Sequence, residues 1–233
     1  MELLLIRHAQ SLNNDLTGDP EYAARRQADP PLTELGRQQA LRLASWAADD
    51  PFCQRITHLH TSLTTRAVQT AAPLARALGL SVHGLTEAYE CGGLNSGPDG
   101  GFAPVMGRDH VSLQTDCPDL LWPDEIRGQA WEGGGEPWDP TGFAGRAANV
   151  SRHLRRVADE ADVVALITHH DFAQYLIAEL LGLPALHGEG LTFRLNNTAT
   201  AHIELIPDPS GSDRSVLHWV NRTAHLTLDL LTL

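Results

Sequence analysis

The chain has 233 residues, room for one α/β domain with an insertion. Its 17 Lys+Arg against 29 Asp+Glu give a formal net charge of -12, which excludes a nucleic-acid backbone or an anionic membrane face as the expected partner. Every basic residue is arginine and none is lysine, so any anion clamp must be built from guanidinium groups. In chain order, the apolar run Leu3 to Ile6 reads as a strand that ends in Arg7 and His8. Thr33 can cap a helix carrying Leu35, Leu41, Leu43 and Trp46. A second strand, Ile56 to His60, leads to a helix with Ala67, Ala71, Leu74, Ala75 and Leu78 on its apolar side and Gly79 as its stop. A third strand covers Leu80 to Leu85. Composition then shifts to Gly, Pro and Trp from about Cys91 to Thr141. Phe143, Ala147, Val150, Leu154 and Val157 return to helical spacing. Asp162 to Thr168 is a fourth strand, followed by a helix from Asp171 to Leu181 that Gly182 and Pro184 end. Finally TATAHIEL and SVLHWVN flank the turn-rich PDPSGSD and read as two more strands. Strands alternating with helices predict an α/β fold on a mostly parallel sheet, made mixed by the last pair.

Cys53, Cys91 and Cys117 fit no metal-ligand or CxxC spacing, which points to a reducing compartment. The opening apolar run is too short for a signal peptide or a membrane span, so a soluble cytoplasmic protein is expected.

The polar residues at the strand ends form the functional signal. Arg7 and His8 follow the first strand, Thr61 to Arg66 the second, Glu87 the third and His169 the fourth. In open α/β sheets, sites form outside the carboxyl ends of the strands, so these groups should converge. Arginines beside a histidine favour its neutral form. Neutral imidazole is a competent nucleophile, and guanidinium forks match phosphate oxygens. A glutamate can protonate a departing alkoxide and then take a proton from water. Together they suggest phosphoryl transfer through a phosphohistidine, with arginines supplying the charge that a metal supplies elsewhere.

At this point the sequence resembles the histidine phosphatase superfamily, also called phosphoglycerate mutase-like proteins. RHAQS with Asn14 is similar to the family's RHG-E/Q-S...N signature, PLTELGRQQA to its LTxxGxxQA segment and TSLTTRAVQTA to its SxxxRAxQTA segment. THH at Thr168 to His170 stands in the place of its SHG motif, and NRTAHL resembles a recurrent C-terminal strand. The resemblance implies a three-layer αβα sandwich, one domain over 1–233, with a cap inserted at about 91–141. It implies His8 as the phosphorylated nucleophile, with Arg7, Arg66 and His169 on the phosphoryl oxygens, Asn14 as a further phosphate contact, and Glu87 as acid and base. No metal or cofactor is implied.

The sequence departs from the pattern at Ala9, in place of the usual Gly, and at Asn13, where mutases often have Trp. His170 replaces the Gly after the second histidine and either lines the pocket, contacting substrate, or turns outward. Glu90 competes with Glu87 within TEAYE, the family register favouring Glu87. His58 and His60 alternate along a strand and are expected as surface or satisfied packing residues. Phe102, Trp122, Trp131, Trp138 and Phe143 are expected to pack the cap or contact substrate. Glu136, Phe143 and Arg146 resemble the family's E...F..R helix entry, whose charges organise the cap. The activity expected is hydrolysis of a small phosphomonoester metabolite. The alternatives are a cofactor-dependent phosphoglycerate mutase and a non-catalytic phosphate-binding module. Against the mutase, residues 91–141 contain only Arg108 and Arg127 as basic groups. The oligomeric state is left open.

Overall fold

Each short apolar run forms a strand, and each helical stripe between them forms a helix that packs on the sheet. The computed structural model describes residues 1–97, 103–184, 191–208 and 214–233. The elements run β1 (Glu2–Arg7), α1 (Leu12–Asp15), α2 (Tyr22–Arg25), α3 (Glu34–Asp49), β2 (Ile56–Ser62), α4 (Thr65–Leu78) and β3 (Val82–Leu85). Then come β4 (Asn95–Ser96), β5 (Ala103–Pro104), α5 (His110–Gln114), β6 (Leu120–Leu121), α6 (Pro140–Val157), β7 (Val163–Thr168), α7 (His170–Leu180), β8 (Thr200–Ile206) and β9 (Arg214–Arg222). The main sheet has seven strands in the order β6-β3-β2-β7-β1-β8-β9. The first five are parallel, β8 pairs antiparallel with β1, and β9 pairs antiparallel with β8.

The sheet is buried on both faces because β1 and β7 are apolar at nearly every position. Leu3, Leu5, Val164 and Leu166 pack with Phe143, Ala147, Val150 and Leu154 of α6 and with α7. Leu4, Ile6, Ala165 and Ile167 pack with α3 and α4 on the other side. The result is three layers, as expected. Two stripe residues depart from the expected packing: Leu41 of α3 is 59% exposed, and Val157 at the end of α6 is 37% exposed. The buried face of α3 is instead made by Leu43 and Ala47, which join the core with β1, β7 and α4, and by Gly36 and Ala40, which meet Gln10 and Ala9 of the loop after β1.

The segment 91–141 does more than one job. Leu113, Cys117 and Leu120 join the core beside α4, and β6 extends the main sheet. Leu94 and Trp131 pack with Leu63 as a separate cluster near the carboxyl end of β2. Trp138 is exposed, with its ring edge-on to Phe143. Phe102 and residues 209–213 of the expected turn lie outside the described residues.

The loop after β1 is held from several sides. Ala9 N–H donates to Thr70 Oγ1 (3.0 Å) and Gln10 N–H to Gln39 Oε1 (2.8 Å). A Cβ at Gly36 would stand 2.0 Å from the Gln10 carbonyl oxygen, so only glycine permits this approach. Thr198, beyond the end of β1, has φ 57, a costly conformation for a β-branched residue, and its N–H donates to the Arg7 carbonyl (3.1 Å).

Candidate active site

His8 lies one residue past β1, and His169 is the N-cap position of α7, one residue past the adjacent strand β7. Parallel pairing of those strands therefore brings the imidazoles together, with ring centroids 5.1 Å apart. Both are buried, at 3% and 0% exposure. Arg66, in the first turn of α4, bridges them: its Nε donates to His8 Nε2 (3.2 Å) and its Nη2 to His169 Nδ1 (3.1 Å). His8 Nδ1 lies 2.7 Å from the Ala9 carbonyl, which can only accept, so the proton sits on Nδ1 and the lone pair on Nε2. His169 Nε2 meets Ser62 Oγ at 2.9 Å. Burial first, then the charge of Arg66, holds both histidines well below the usual imidazole range.

Arg7 is 4% exposed, with Nη1 donating to the Leu195 carbonyl (2.6 Å). Its buried Nε has no hydrogen-bond partner among the described residues. Burial lowers its pKa to about 10, and Glu90 and Asp171 work in the opposite direction. Asn14 is tied to the loop after β1, its Oδ1 accepting from Ser11 N (3.1 Å) and Asn197 Nδ2 (3.3 Å). His170 turns inward. It is half-buried beside Arg7, its buried Nδ1 lacks a partner among the described residues, and burial first, then Arg7, lowers its pKa.

The structure does not bring Glu87 to this group. Its Oε1 accepts from Asn149 Nδ2 of α6 (3.0 Å), and its charge acts on His153. The loop turns at Ala88, fully buried, whose carbonyl accepts from Thr168 Oγ1 (2.8 Å). Glu90 falls on the other side of that turn, and its charge is felt by Arg7, Arg66 and His170. Arg146 fixes the loop, donating through Nη1 to the carbonyls of Glu87 and Tyr89 (both 2.8 Å) while pairing with Glu136 (2.6 Å). Ser62, within the stretch Thr61 to Arg66, joins the site through His169, and Asn197, whose Nδ2 donates to the His8 carbonyl (3.1 Å), is a site residue that sequence reasoning missed. The signal for Asn197 was a polar residue in a pre-strand position.

His58 and His60 face one side of β2, and His60 lies across from His83 of β3. With His153 they line a cavity of about 1190 Å³ on the α6 side of the sheet, away from the His8 crevice. Hydrogen-bonded packing does not describe His60, since it is buried and neither ring nitrogen has a partner among the described residues. Among the described residues, no group of three or more His, Cys, Asp or Glu side chains is arranged to hold a metal ion. No helix among them is long and apolar enough to cross a membrane.

Fold and crevice define an α/β protein that sets two neutral imidazoles and two guanidiniums at the carboxyl ends of adjacent parallel strands. Comparison with known proteins gives the family: residues 3–214 match the histidine phosphatase superfamily (branch 1), and the chain belongs to it. The chain is similar to a probable phosphoglycerate mutase GpmB from Yersinia pestis (strain Pestoides F), with 29% identity over 99% of this chain and 97% of the relative. The fold is also that of a mycobacterial glucosyl-3-phosphoglycerate phosphatase solved with inorganic phosphate (24% identity, TM-score 0.62, 97% and 99% of the two chains). A phosphoserine phosphatase from Entamoeba histolytica, solved with 3-phosphoglyceric acid, is similar in the same way (22% identity, TM-score 0.61, 97% and 99%).

Proposed function

We propose that the protein is a phosphatase that hydrolyses a small phosphomonoester through a phosphohistidine on His8. Arg7, Arg66, Asn14, His169 and His170 surround the phosphoryl group, segment 91–141 caps the entrance, and neither metal nor cofactor is required. The observation that carries this reading is His8 itself, neutral, with its Nδ1 proton on the Ala9 carbonyl and its Nε2 lone pair in the crevice beside Arg66. The unpartnered Nε of buried Arg7 is the kind of donor that a phosphoryl oxygen satisfies. Nε2 attacks phosphorus, the bond from phosphorus to the alcohol oxygen breaks, and a carboxylic acid after β3 gives that oxygen its proton. In the second step the carboxylate takes a proton from water, whose oxygen attacks phosphorus as the bond to Nε2 breaks. Ester and water have become alcohol and inorganic phosphate.

The name of the Yersinia relatives keeps a second reading, an isomerase, in view. A mutase must grip a carboxylate beside the phosphate, yet both guanidiniums of segment 91–141 are engaged locally. Arg108 pairs with Asp116 (2.5 Å), and Arg127 pairs with Asp124. This favours hydrolysis. A panel of phosphorylated metabolites, assayed for phosphate release with chelator present, tests the proposal. Wild-type protein should carry acid-labile phosphate and His8→Ala none. Equal labelling of His8→Ala removes the nucleophile, phosphoglycerate interconversion without release makes the protein a mutase, and phosphate binding without turnover leaves a binding module.

A further inference from the structure

We propose that Gln39 is a positioning residue for the nucleophile, acting through the peptide between Ala9 and Gln10, and that Thr232 locks it in place. This rests on the phosphohistidine reading above, in which His8 attacks through Nε2. The Ala9 carbonyl that accepts from His8 Nδ1 (2.7 Å) and the Gln10 N–H belong to one peptide group, and that N–H donates to Gln39 Oε1 (2.8 Å). The Gln39 amide can face only one way, because its Nε2 lies 2.7 Å from the Leu230 carbonyl, which can only accept. Its second hydrogen goes to Thr232 Oγ1 (2.8 Å), whose own hydrogen goes to Asn197 Oδ1 (2.9 Å). Asn197 closes the ring, donating through Nδ2 to the His8 carbonyl (3.1 Å). Hydrogen bonds therefore run head to tail from His8 Nδ1 through Gln39 and Thr232 back to the His8 carbonyl.

Gln39, on the buried face of α3, and Asn197 are both fully buried. A buried amide costs free energy that an apolar side chain of the same length does not, unless its polar atoms are bonded. The acceptor of Gln39 is spent on the peptide next to the nucleophile. A peptide that donates through its N–H becomes a stronger acceptor at its carbonyl, because hydrogen bonds in a chain polarise one another. Gln39 thus strengthens the bond that keeps the His8 proton on Nδ1. In the free protein Arg66 Nε, donating to His8 Nε2 (3.2 Å), favours the same tautomer from the other side of the ring. Once Arg66 turns to a phosphoryl oxygen, the Nδ1 side alone keeps the lone pair on Nε2. The relay does for His8 what a carboxylate does for the histidine of a hydrolase triad, without adding a negative charge that would repel the phosphoryl group.

Gln39→Met keeps the length of the side chain and removes the acceptor. Its kcat/KM for an alkyl phosphate and for p-nitrophenyl phosphate should fall together by about tenfold, because both esters need the same lone pair. Nitrogen-15 NMR of imidazole-labelled protein should show His8 protonated at Nδ1 in wild type and as a mixture of tautomers in the variant. A Gln39 that only packs α3 lowers the melting temperature and leaves both readings at wild type, which overturns the proposal. Were Gln39→Met to lose its fold, Thr232→Val, at a half-buried position, removes the hydroxyl alone. Its kcat/KM for both esters should fall by about threefold, and Thr232→Ser should restore it. A Thr232→Val protein with wild-type kcat/KM and tautomer overturns the proposal, and a loss that Thr232→Ser does not restore belongs to the methyl group and overturns the lock. Wild-type protein that carries no acid-labile phosphate would instead remove the phosphohistidine reading, a result on which the tautomer measurement does not depend.

Discussion

Replacing Arg146 by methionine tests how the cap end of α6 governs the carboxyl loop. The guanidinium is 6% exposed, bonds Glu136 through Nε (3.1 Å) and Nη2 (2.6 Å), and lies over the rings of Tyr89 (3.8 Å) and Phe172 (4.1 Å). Methionine keeps much of the volume but strands the Glu136 carboxylate, whose side chain is 17% exposed, together with the carbonyls of Glu87 and Tyr89. Removing one partner of a buried pair costs about 3–5 kcal/mol, and the stranded carbonyls are part of that cost and not additional to it. At about 2–4 °C per kcal/mol for a chain of this size, Tm should fall by about 6–20 °C in a thermal melt followed by circular dichroism. The double variant Arg146→Met/Glu136→Met leaves no uncompensated charge and should recover at least half of the loss. Activity should fall along with stability, because the loop after β3, which carries the proposed proton-donating carboxyl, loses its two carbonyl anchors. A Tm change of under about 2 °C, or a double variant no better than the single, refutes the reasoning.

Gly36→Ala should cost about 2 kcal/mol or more, since its Cβ meets a backbone oxygen at 2.0 Å and the segment after His8 must shift to admit it. A urea midpoint and a kcat both unchanged from wild type would sink that account. Stability should also fall with pH: burial, then the charges of His83, His153 and His58, depress His60 to about 3. The unfolded chain binds a proton there from about pH 6.5 downward and the folded chain does not, so stability is lost as pH falls from about 6.5 toward 3. His60→Phe should flatten that dependence by up to about 1.4 kcal/mol per pH unit in denaturant titrations at pH 7, 5.5 and 4.5, and an unchanged slope removes His60 as a contributor.

Much of the fold was legible because the signals were local. Apolar runs gave the strands, and Gly79, at φ 67, stops α4 where its position predicted. The convergence of Arg7, His8, Arg66 and His169 was legible too, since strand ends in a parallel sheet share one edge. The two segments that resemble the family's, PLTELGRQQA and TSLTTRAVQTA, also supply supports. Gln39, Gly36 and Thr70 hold the loop after β1, a role that depends on tertiary approach and leaves no periodic trace. The different surroundings of Glu87 and Glu90 were not legible, because they turn on a loop reversal fixed by Thr168 and Arg146, which are 80 and more than 50 residues away. Nor was the face of α3, where alanines and a glycine pack better than Leu41.

The Arg66 bridge bears on how firmly the crevice can hold what it makes. In the free protein the lone pairs of both imidazoles are already occupied by one guanidinium, so an arriving anion trades against an interior partner. Each such charged hydrogen bond is worth about 1.5–3 kcal/mol, and giving one up discounts the affinity for inorganic phosphate by tenfold or more. The same exchange runs in reverse when the product leaves, as Arg66 returns to the rings it left. On the hydrolysis proposed above, the arginine is a placeholder that weakens the hold of the crevice on inorganic phosphate and so favours its release.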